Sequence, residues 1–441
     1  MPRYFGTDGV RGKAGEELSA ELAFKLGRAA GQAFSPRKVL LARDTRLSGP
    51  ALAYACSAGL AASGREVHLG GVLPSPAVSH LVARGTFDLG AVISASHNPP
   101  EDNGVKFYGP TGMKLSPEEE QMIEQILDSC RSGSELGQVT RYTDAESHYS
   151  QLLREAVGGL NLSGVRVALD CAHGATAPLA PELFRSLGAT VSVIGGEPDG
   201  SRINATGATH TSALGELVRA EGADIGIAYD GDGDRSVFVD STGELVEGDR
   251  LMAALAPYLL AWGELTCPAV VFTVLGNLGA EQYLTGRGFT VVRVPVGDRH
   301  VAQAMGEQEI DLGGEPSGHI VFRRHSATGD GILTSLLVLS ALRQAGCDLR
   351  TLTRDVRLLS QVRVDIAVAD HLTVLQRPEV QAAIHAAESS LNGAGRLLVR
   401  PSGTQHLIRI MAEGPDERGL QELTNTLTRA IHASRPDSTT S

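Results

Sequence analysis

Asp224-Ile225-Gly226-Ile227-Ala228-Tyr229-Asp230-Gly231-Asp232-Gly233-Asp234-Arg235 decides how the rest of the chain is read. Its first half is a short apolar run of strand type. Its second half sets three carboxylates at alternate positions with glycines between them. That array can fold onto one small hard cation, and oxygen donors suit Mg²⁺ rather than zinc or copper. Arg235 places a phosphate-binding fork beside the cation. A calcium loop is rejected, because Arg235 and Ser241 stand where glycine and a bidentate glutamate are required. An acidic turn is the plainer rival, and the surrounding sequence has to decide against it.

Working outward, the opening Asp-Ile-Gly recurs as Asp88-Leu89-Gly90 and Asp311-Leu312-Gly313. Two apolar strand candidates precede each copy: 39–42 and 66–69, 165–169 and 190–194, 269–274 and 290–294. Each third strand runs into a polar loop: Ser94-Ala95-Ser96-His97-Asn98-Pro99, the DGDGDR run, or Gly314-Glu315-Pro316-Ser317-Gly318-His319. Strands alternating with helical stretches imply βαβ units, whose ligands collect beyond the carboxyl ends of the strands. The expected fold is α/β. Three repeated α/β domains with mixed, mostly parallel sheets and a smaller C-terminal α+β domain surround a central cleft. Boundaries are placed at 1–157, 158–252, 253–368 and 369–441, guided by Gly158-Gly159 and by a helix near 331–344 followed by a strand near 361–368. Ser116-Pro117-Glu118-Glu119 reads as a capping box that opens a helix.

Composition narrows the function. With 441 residues, 42% hydrophobic and 20% charged, the chain can bury several cores. A net charge of −12 argues against nucleic-acid and membrane-surface partners. Five scattered cysteines without a CxxC pair predict reduced thiols in a cytoplasmic protein. The N-terminus lacks an apolar signal region, and no apolar run nears the roughly 18 residues a membrane span requires.

The loops carry the chemistry. Ser96 lies on a loop stiffened by two prolines, suited to a nucleophile or phosphate carrier, and without the G-x-S-x-G spacing of a hydrolase elbow. Lys106 is near enough in sequence to reach the same phosphate. Arg11, in GTDGVRG, belongs to a segment that fails the P-loop pattern. Glu315 and Ser317 suit sugar hydroxyls, and His319 is either a ligand contact or a structural histidine. Arg400, Ser402, Gly403, Thr404 and Arg409 combine guanidiniums, hydroxyls and flexible backbone for a phosphate that is held rather than transferred.

Taken in order, GTDGVRG, SASHNP, DGDGDR, GEPSGH and RPSGT resemble the motifs of the α-D-phosphohexomutase superfamily over essentially the whole chain. The opening motif, Val296-Gly297-Asp298-Arg299 and Thr328-Gly329-Asp330-Gly331 resemble its glucosamine branch. The resemblance implies a phosphoserine at Ser96 and one Mg²⁺ per subunit on Asp230, Asp232, Asp234 and a phosphoserine oxygen. Arg11, Lys106 and Arg235 would surround the transferring phosphoryl group, with Lys106 a candidate for acid/base help. Glu315, Ser317 and His319 would contact the sugar. Arg400, Ser402, Gly403, Thr404 and Arg409 would grip the other phosphate. The implied reaction interconverts glucosamine 6-phosphate and glucosamine 1-phosphate, toward UDP-N-acetylglucosamine, with glucosamine 1,6-bisphosphate as intermediate and activator. A kinase, or the enzyme itself, would first phosphorylate Ser96. No oligomeric state is written in the sequence, with a dimer left open. Pro316 departs from the usual Gln or Met, and Gln405-His406 from the usual Glu-Pro. A phosphomannomutase/phosphoglucomutase is the nearer rival; an inactive sugar-phosphate-binding protein is the rival of another class.

Overall fold

The structure, a computed structural model, describes residues 4–6, 8–131, 133, 135–401 and 406–434. The chain separates into two units, Met1–Leu275 with Arg287–Asp355, and Gly276–Gly286 with Val356–Ser441.

The first unit holds three sheets built on one plan. In the first, Glu66–Val72, Lys38–Arg43 and Leu89–Ile93 lie parallel, and Asp102–Tyr108 pairs antiparallel with Leu89–Ile93. The second repeats this with Thr190–Ile194, Arg166–Asp170, Ile225–Tyr229 and antiparallel Ser236–Asp240. The third does so with Thr290–Val294, Ala269–Thr273, Leu312–Gly314 and antiparallel Ile320–Phe322. The central strands are buried on both faces, which is why they read as continuous apolar runs. The first sheet is extended by Gly9–Lys13 and Phe5–Gly6 on one edge and by Val139–Arg141 on the other.

The structure adds a fourth strand to each repeat, beyond the three read from the sequence. The polar loop of each of the three repeats therefore joins a parallel strand to its antiparallel neighbour and is held from both sides. The capping box forms: Glu119 N–H donates to Ser116 Oγ (3.2 Å) and Ser116 N–H to Glu119 Oε2 (2.7 Å).

In the second unit, Leu407–Gly414 is the middle strand between Ser360–Ala367 and Arg396–Pro401, all antiparallel. Ile366, Val380, Ile408, Ile410, Leu427 and Ile431 fill its core. This corrects the segment 253–368. Its last strand pairs over eight residues with Leu407–Gly414 and belongs to the C-terminal sheet. The boundary at 252 also falls inside the helix Gly248–Ala261, a single element too apolar to interrupt. All five cysteines are free.

Candidate active site

Ser96 directly follows the Leu89–Ile93 strand and its Ser94-Ala95, with φ +52°, in the left-handed region. A non-glycine residue there costs on the order of 1–3 kcal/mol, so its surroundings must enforce it. Ser96 N–H donates to Ser94 Oγ (2.9 Å), and Ser94 Oγ donates to Asp44 Oδ2 (2.6 Å). Arg46 Nε donates to the same Asp44 oxygen (2.9 Å), and Arg46 Nη2 to the carbonyls of Ser96 (3.0 Å) and Asn98 (2.8 Å). Ser96 is fully buried, and its Oγ donates to Asp230 Oδ2 at 2.6 Å. The phosphate-carrier candidate thus meets the metal-ligand candidate directly.

Asp230, Asp232 and Asp234 are buried, and one oxygen from each lies within 4.8 Å of the others. Burial and the charges of Asp234 and Asp232 push the Asp230 carboxyl well above its usual range. Asp232 Oδ1 and Asp234 Oδ1 are buried without a hydrogen-bond partner among the described residues. Crowded carboxylates with orphaned oxygens fit a hard divalent cation, which takes oxygen ligands and relieves their repulsion. Glycine is required within this loop: Gly233 has φ +72°, and a Cβ on Gly231 would lie 2.6 Å from the Ser96 carbonyl oxygen.

Lys106 is 1% exposed and pairs with Asp232 (3.0 Å) and Asp8 (3.1 Å). Against the downward push of burial, those carboxylates raise its pKa, so it stands as an ammonium that donates but cannot accept a proton. Asp8 also pairs with Arg11 and Lys114, and Lys114 with Asp298. Alternating buried and partly buried charges therefore connect the DGDGDR loop, the N-terminal motif and the start of the Asp298–Glu307 helix. Arg11 Nη1 donates to Asn98 Oδ1 (3.2 Å), and Arg235 Nε lies 3.8 Å from Asp234 Oδ1.

The third loop closes on the same group. Gly329 N–H donates to His319 Nε2 (3.2 Å), leaving Nδ1 toward Asp234 Oδ2 at 3.7 Å. Against burial, Asp234 raises the His319 pKa. Glu315 Oε1 accepts from Gly297 N–H (3.2 Å), and Ser317 Oγ is buried without a partner among the described residues. Ser96, Arg11, Lys106, the three aspartates, Arg235 and His319 are thus brought together by direct contacts. Arg400 and Arg409 lie in the second unit as directly paired residues on adjacent strands. Burial and Arg409 lower the Arg400 pKa, the mark of two like charges held side by side. Ser402, Gly403 and Thr404 lie outside the described residues.

Sequence reading missed Asp8, Arg46, Ser75, Lys114, Asn204 and Asp298 as parts of this network. Ser75 Oγ donates to Asp232 Oδ2 (2.6 Å), and Asn204 Nδ2 to the carbonyls of Ser96 (2.8 Å) and Asn98 (2.9 Å). One signal was available for Arg46: Asp44-Thr45-Arg46 directly follows the first repeat's first strand, at its ligand-facing end.

Four segments match the phosphoglucomutase/phosphomannomutase domains: alpha/beta/alpha domain I over residues 2–133, domain II over 146–243, domain III over 247–358, and the C-terminal domain over 362–430. The chain belongs to this family, within the α-D-phosphohexomutase superfamily of sugar-phosphate isomerases. Its similar relatives include the phosphoglucosamine mutases of Geobacillus thermodenitrificans, 45% identical over 95% of both chains, and Bacillus pumilus, 43% identical over 98% of both. Within the family it falls among the phosphoglucosamine mutases. A phosphoglucomutase/phosphomannomutase family protein from Burkholderia thailandensis shares the fold, with a TM-score of 0.82 at 24% identity over 98% of both chains. So does the Aspergillus fumigatus N-acetylphosphoglucosamine mutase in complex with GlcNAc-6P and magnesium, with a TM-score of 0.70 at 17% identity over 99% of this chain and 96% of that one. Among the described residues, no helix is long and apolar enough to cross a membrane.

Proposed function

We propose that this enzyme interconverts glucosamine 6-phosphate and glucosamine 1-phosphate through a phosphorylated Ser96 and glucosamine 1,6-bisphosphate. The observation that carries the reading is the 2.6 Å contact between Ser96 Oγ and Asp230, inside a buried carboxylate triad. The choice of glucosamine rests on relatives that are 42–45% identical over nearly the full chain.

In the forward step, the Ser96 Oγ–P bond breaks and a bond forms between phosphorus and the free sugar hydroxyl. The hydroxyl proton ends on Ser96 Oγ, which then donates to Asp230 as in the structure. The bisphosphate turns over and returns its other phosphoryl group to Ser96. Loose phosphoryl-transfer transition states need positioning and charge neutralisation more than covalent help. Lys106, Arg11 and Arg235 supply fixed positive charge, and Lys106 acts as a donor. Asp230, Asp232 and Asp234 would hold Mg²⁺, which neutralises phosphoryl charge when bound. Glu315, Ser317 and His319 are assigned to the sugar. Arg400 and Arg409, with Ser402, Gly403 and Thr404, are assigned by resemblance to the phosphate that is not reacting.

The test is turnover of glucosamine, glucose and mannose phosphates, primed with a trace of sugar bisphosphate, by the parent and by Ser96→Ala. The parent should prefer glucosamine phosphate, and the variant should be inactive. A preference for glucose or mannose overturns the substrate, and an active Ser96→Ala overturns the mechanism.

A further inference from the structure

The loop Ser96-His97-Asn98-Pro99-Pro100 has few main-chain handles. Pro99 and Pro100 carry no N–H, so the peptides that follow Asn98 and Pro99 can be held only by their carbonyls. Arg46 takes both of those carbonyls, and Asn204 takes that of Asn98. Arg46, from the loop after Lys38–Arg43, has no exposed surface. Its guanidinium donates from Nε to Asp44, from Nη2 to Ser96 O and Asn98 O, and from Nη1 to Asp102 O (2.8 Å) and Pro99 O. All five N–H donors of the fork are used, and Asp44 balances its charge.

Asn204 arrives from the second repeat. Asp170, at the end of Arg166–Asp170, shapes its approach: Asp170 Oδ1 accepts from Ala172 N–H (3.0 Å) and Thr206 Oγ1 (2.8 Å), and Oδ2 from Gly207 N–H (2.8 Å). Asn204, itself at φ +62°, then donates both amide hydrogens to the Ser96 and Asn98 carbonyls. Arg46 thus follows its repeat's first strand, while Asn204, in the loop after Thr190–Ile194, is held by its N–H to the Ala172 carbonyl (3.0 Å) just past the second repeat's first strand, and both grip the same two carbonyls.

We propose that Arg46 and Asn204 are positioning residues of the phosphoryl transfer. By gripping the carbonyls of Ser96 and Asn98 from two domains, they hold Ser96 in its left-handed conformation, with Oγ aimed at the metal loop. This rests on the reading of Ser96 as the phosphoryl carrier. Neither side chain needs to touch the phosphoryl group. The grip persists when the group has left, so Ser96 waits in the geometry required to take it back. A loosened Ser96 would still carry a phosphoryl group, but would present it to water as readily as to sugar.

The experiment compares parent, Asn204→Ala and Arg46→Lys for phosphate on Ser96 by intact mass, for kcat and KM on glucosamine 6-phosphate, for phosphate released to water without sugar, and for melting temperature. Asn204→Ala removes two neutral hydrogen bonds and should lower kcat about tenfold, with KM within about twofold. Ser96 should load as in the parent, and the share of phosphoryl groups lost to water should rise. Arg46→Lys, which keeps the charge but loses the fork, should lower kcat further. If Arg46→Lys fails to fold, Asn204→Ala decides alone. A folded, phosphorylated Asn204→Ala with parental kcat, or one whose kcat falls while the balance of transfer to hydrolysis stays parental, overturns the inference alone. A parent enzyme that turns over without phosphate on Ser96 overturns the underlying reading with it.

Discussion

Replacing Asp230 with asparagine should reverse the stability order of variant and parent according to whether a divalent cation is present. The three carboxylates approach within 4.8 Å of one another. At an effective dielectric constant near 20, two full charges at that distance repel by about 3.5 kcal/mol. Asp230 takes part in two such repulsions, which is why its carboxyl is pushed well above the ordinary range by burial and by Asp234 and Asp232. Asparagine keeps the shape and removes the charge. It can still accept from Ser96 Oγ, but its amide then faces Arg235 N–H, which now donates to Asp230 Oδ1 at 3.2 Å. That conflict costs about 1–3 kcal/mol, and proton uptake by the parent limits the repulsion it actually bears. With chelator, the variant should therefore melt at or above the parent. With Mg²⁺ at a hundred times the parent's dissociation constant, the parent gains about 2.7 kcal/mol, and a variant binding tenfold more weakly gains only about 1.4 kcal/mol. The assay is thermal unfolding of both proteins in chelator and across a Mg²⁺ titration. A variant that melts well below the parent in chelator, or gains as much from Mg²⁺, would refute the claim that these carboxylates repel one another around a cation site.

Lys106→Met keeps the apolar stem but leaves Asp232 and Asp8 short of a buried cation; it should lower stability by about 3–5 kcal/mol, read as a reduced urea midpoint, and abolish turnover. Gly318 sits at φ +88°, and a Cβ there would lie 2.3 Å from the Ser236 carbonyl oxygen. Gly318→Ala should thus displace the sugar loop and raise KM, while Ser96 remains phosphorylated; an unchanged KM would count against that loop as the sugar reader. Burial pushes the Cys56 and Cys171 thiols up to about 12. Because only the thiolate reacts, both should resist alkylation at pH 8 and label on unfolding; fast labelling of the native protein would show that those segments open.

The repeat was legible because parallel strands buried on both faces must be apolar along their whole length. The antiparallel fourth strands escaped for the opposite reason. Asp102–Tyr108 reads DNGVKFY and Ile320–Phe322 has only three residues, so neither shows a period long enough to declare itself. At the site, the residues assigned to ligand by their charge or hydroxyl stood out in glycine-rich loops. Arg46 and Asn204 did not, since their partners are main-chain carbonyls, which no residue type advertises. Asp8, Lys114 and Asp298 were hidden by distance, the first two standing 106 positions apart and the last two 184 positions apart. The strand near 361–368 was visible as a strand, but its partner could not be chosen from its own alternating pattern.

The fourth strand also explains how one loop position can carry three different sets of polar side chains. A loop that reverses direction between two hydrogen-bonded strands has both ends fixed, so its few residues can be held in strained or crowded geometry. Ser96 at positive φ and three carboxylates within 4.8 Å are each unfavourable in an open loop. Strand pairing on both sides, from Gly90–Tyr108 through Ile93–Val105 in the first repeat and from Ile225–Asp240 through Tyr229–Ser236 in the second, supplies the constraint. Adhesion between the repeats then determines which strained loop meets which. The Ser75 N–H bond to the Asp232 carbonyl (2.8 Å) and the Gly331 N–H bond to the Gly233 carbonyl (2.9 Å) fasten the metal loop to the first and third repeats at its two glycine-flanked turns. The DGDGDR loop is therefore the hub, and changes at those two main-chain contacts should propagate to Ser96 through Asp230 even though neither partner carries charge into the site.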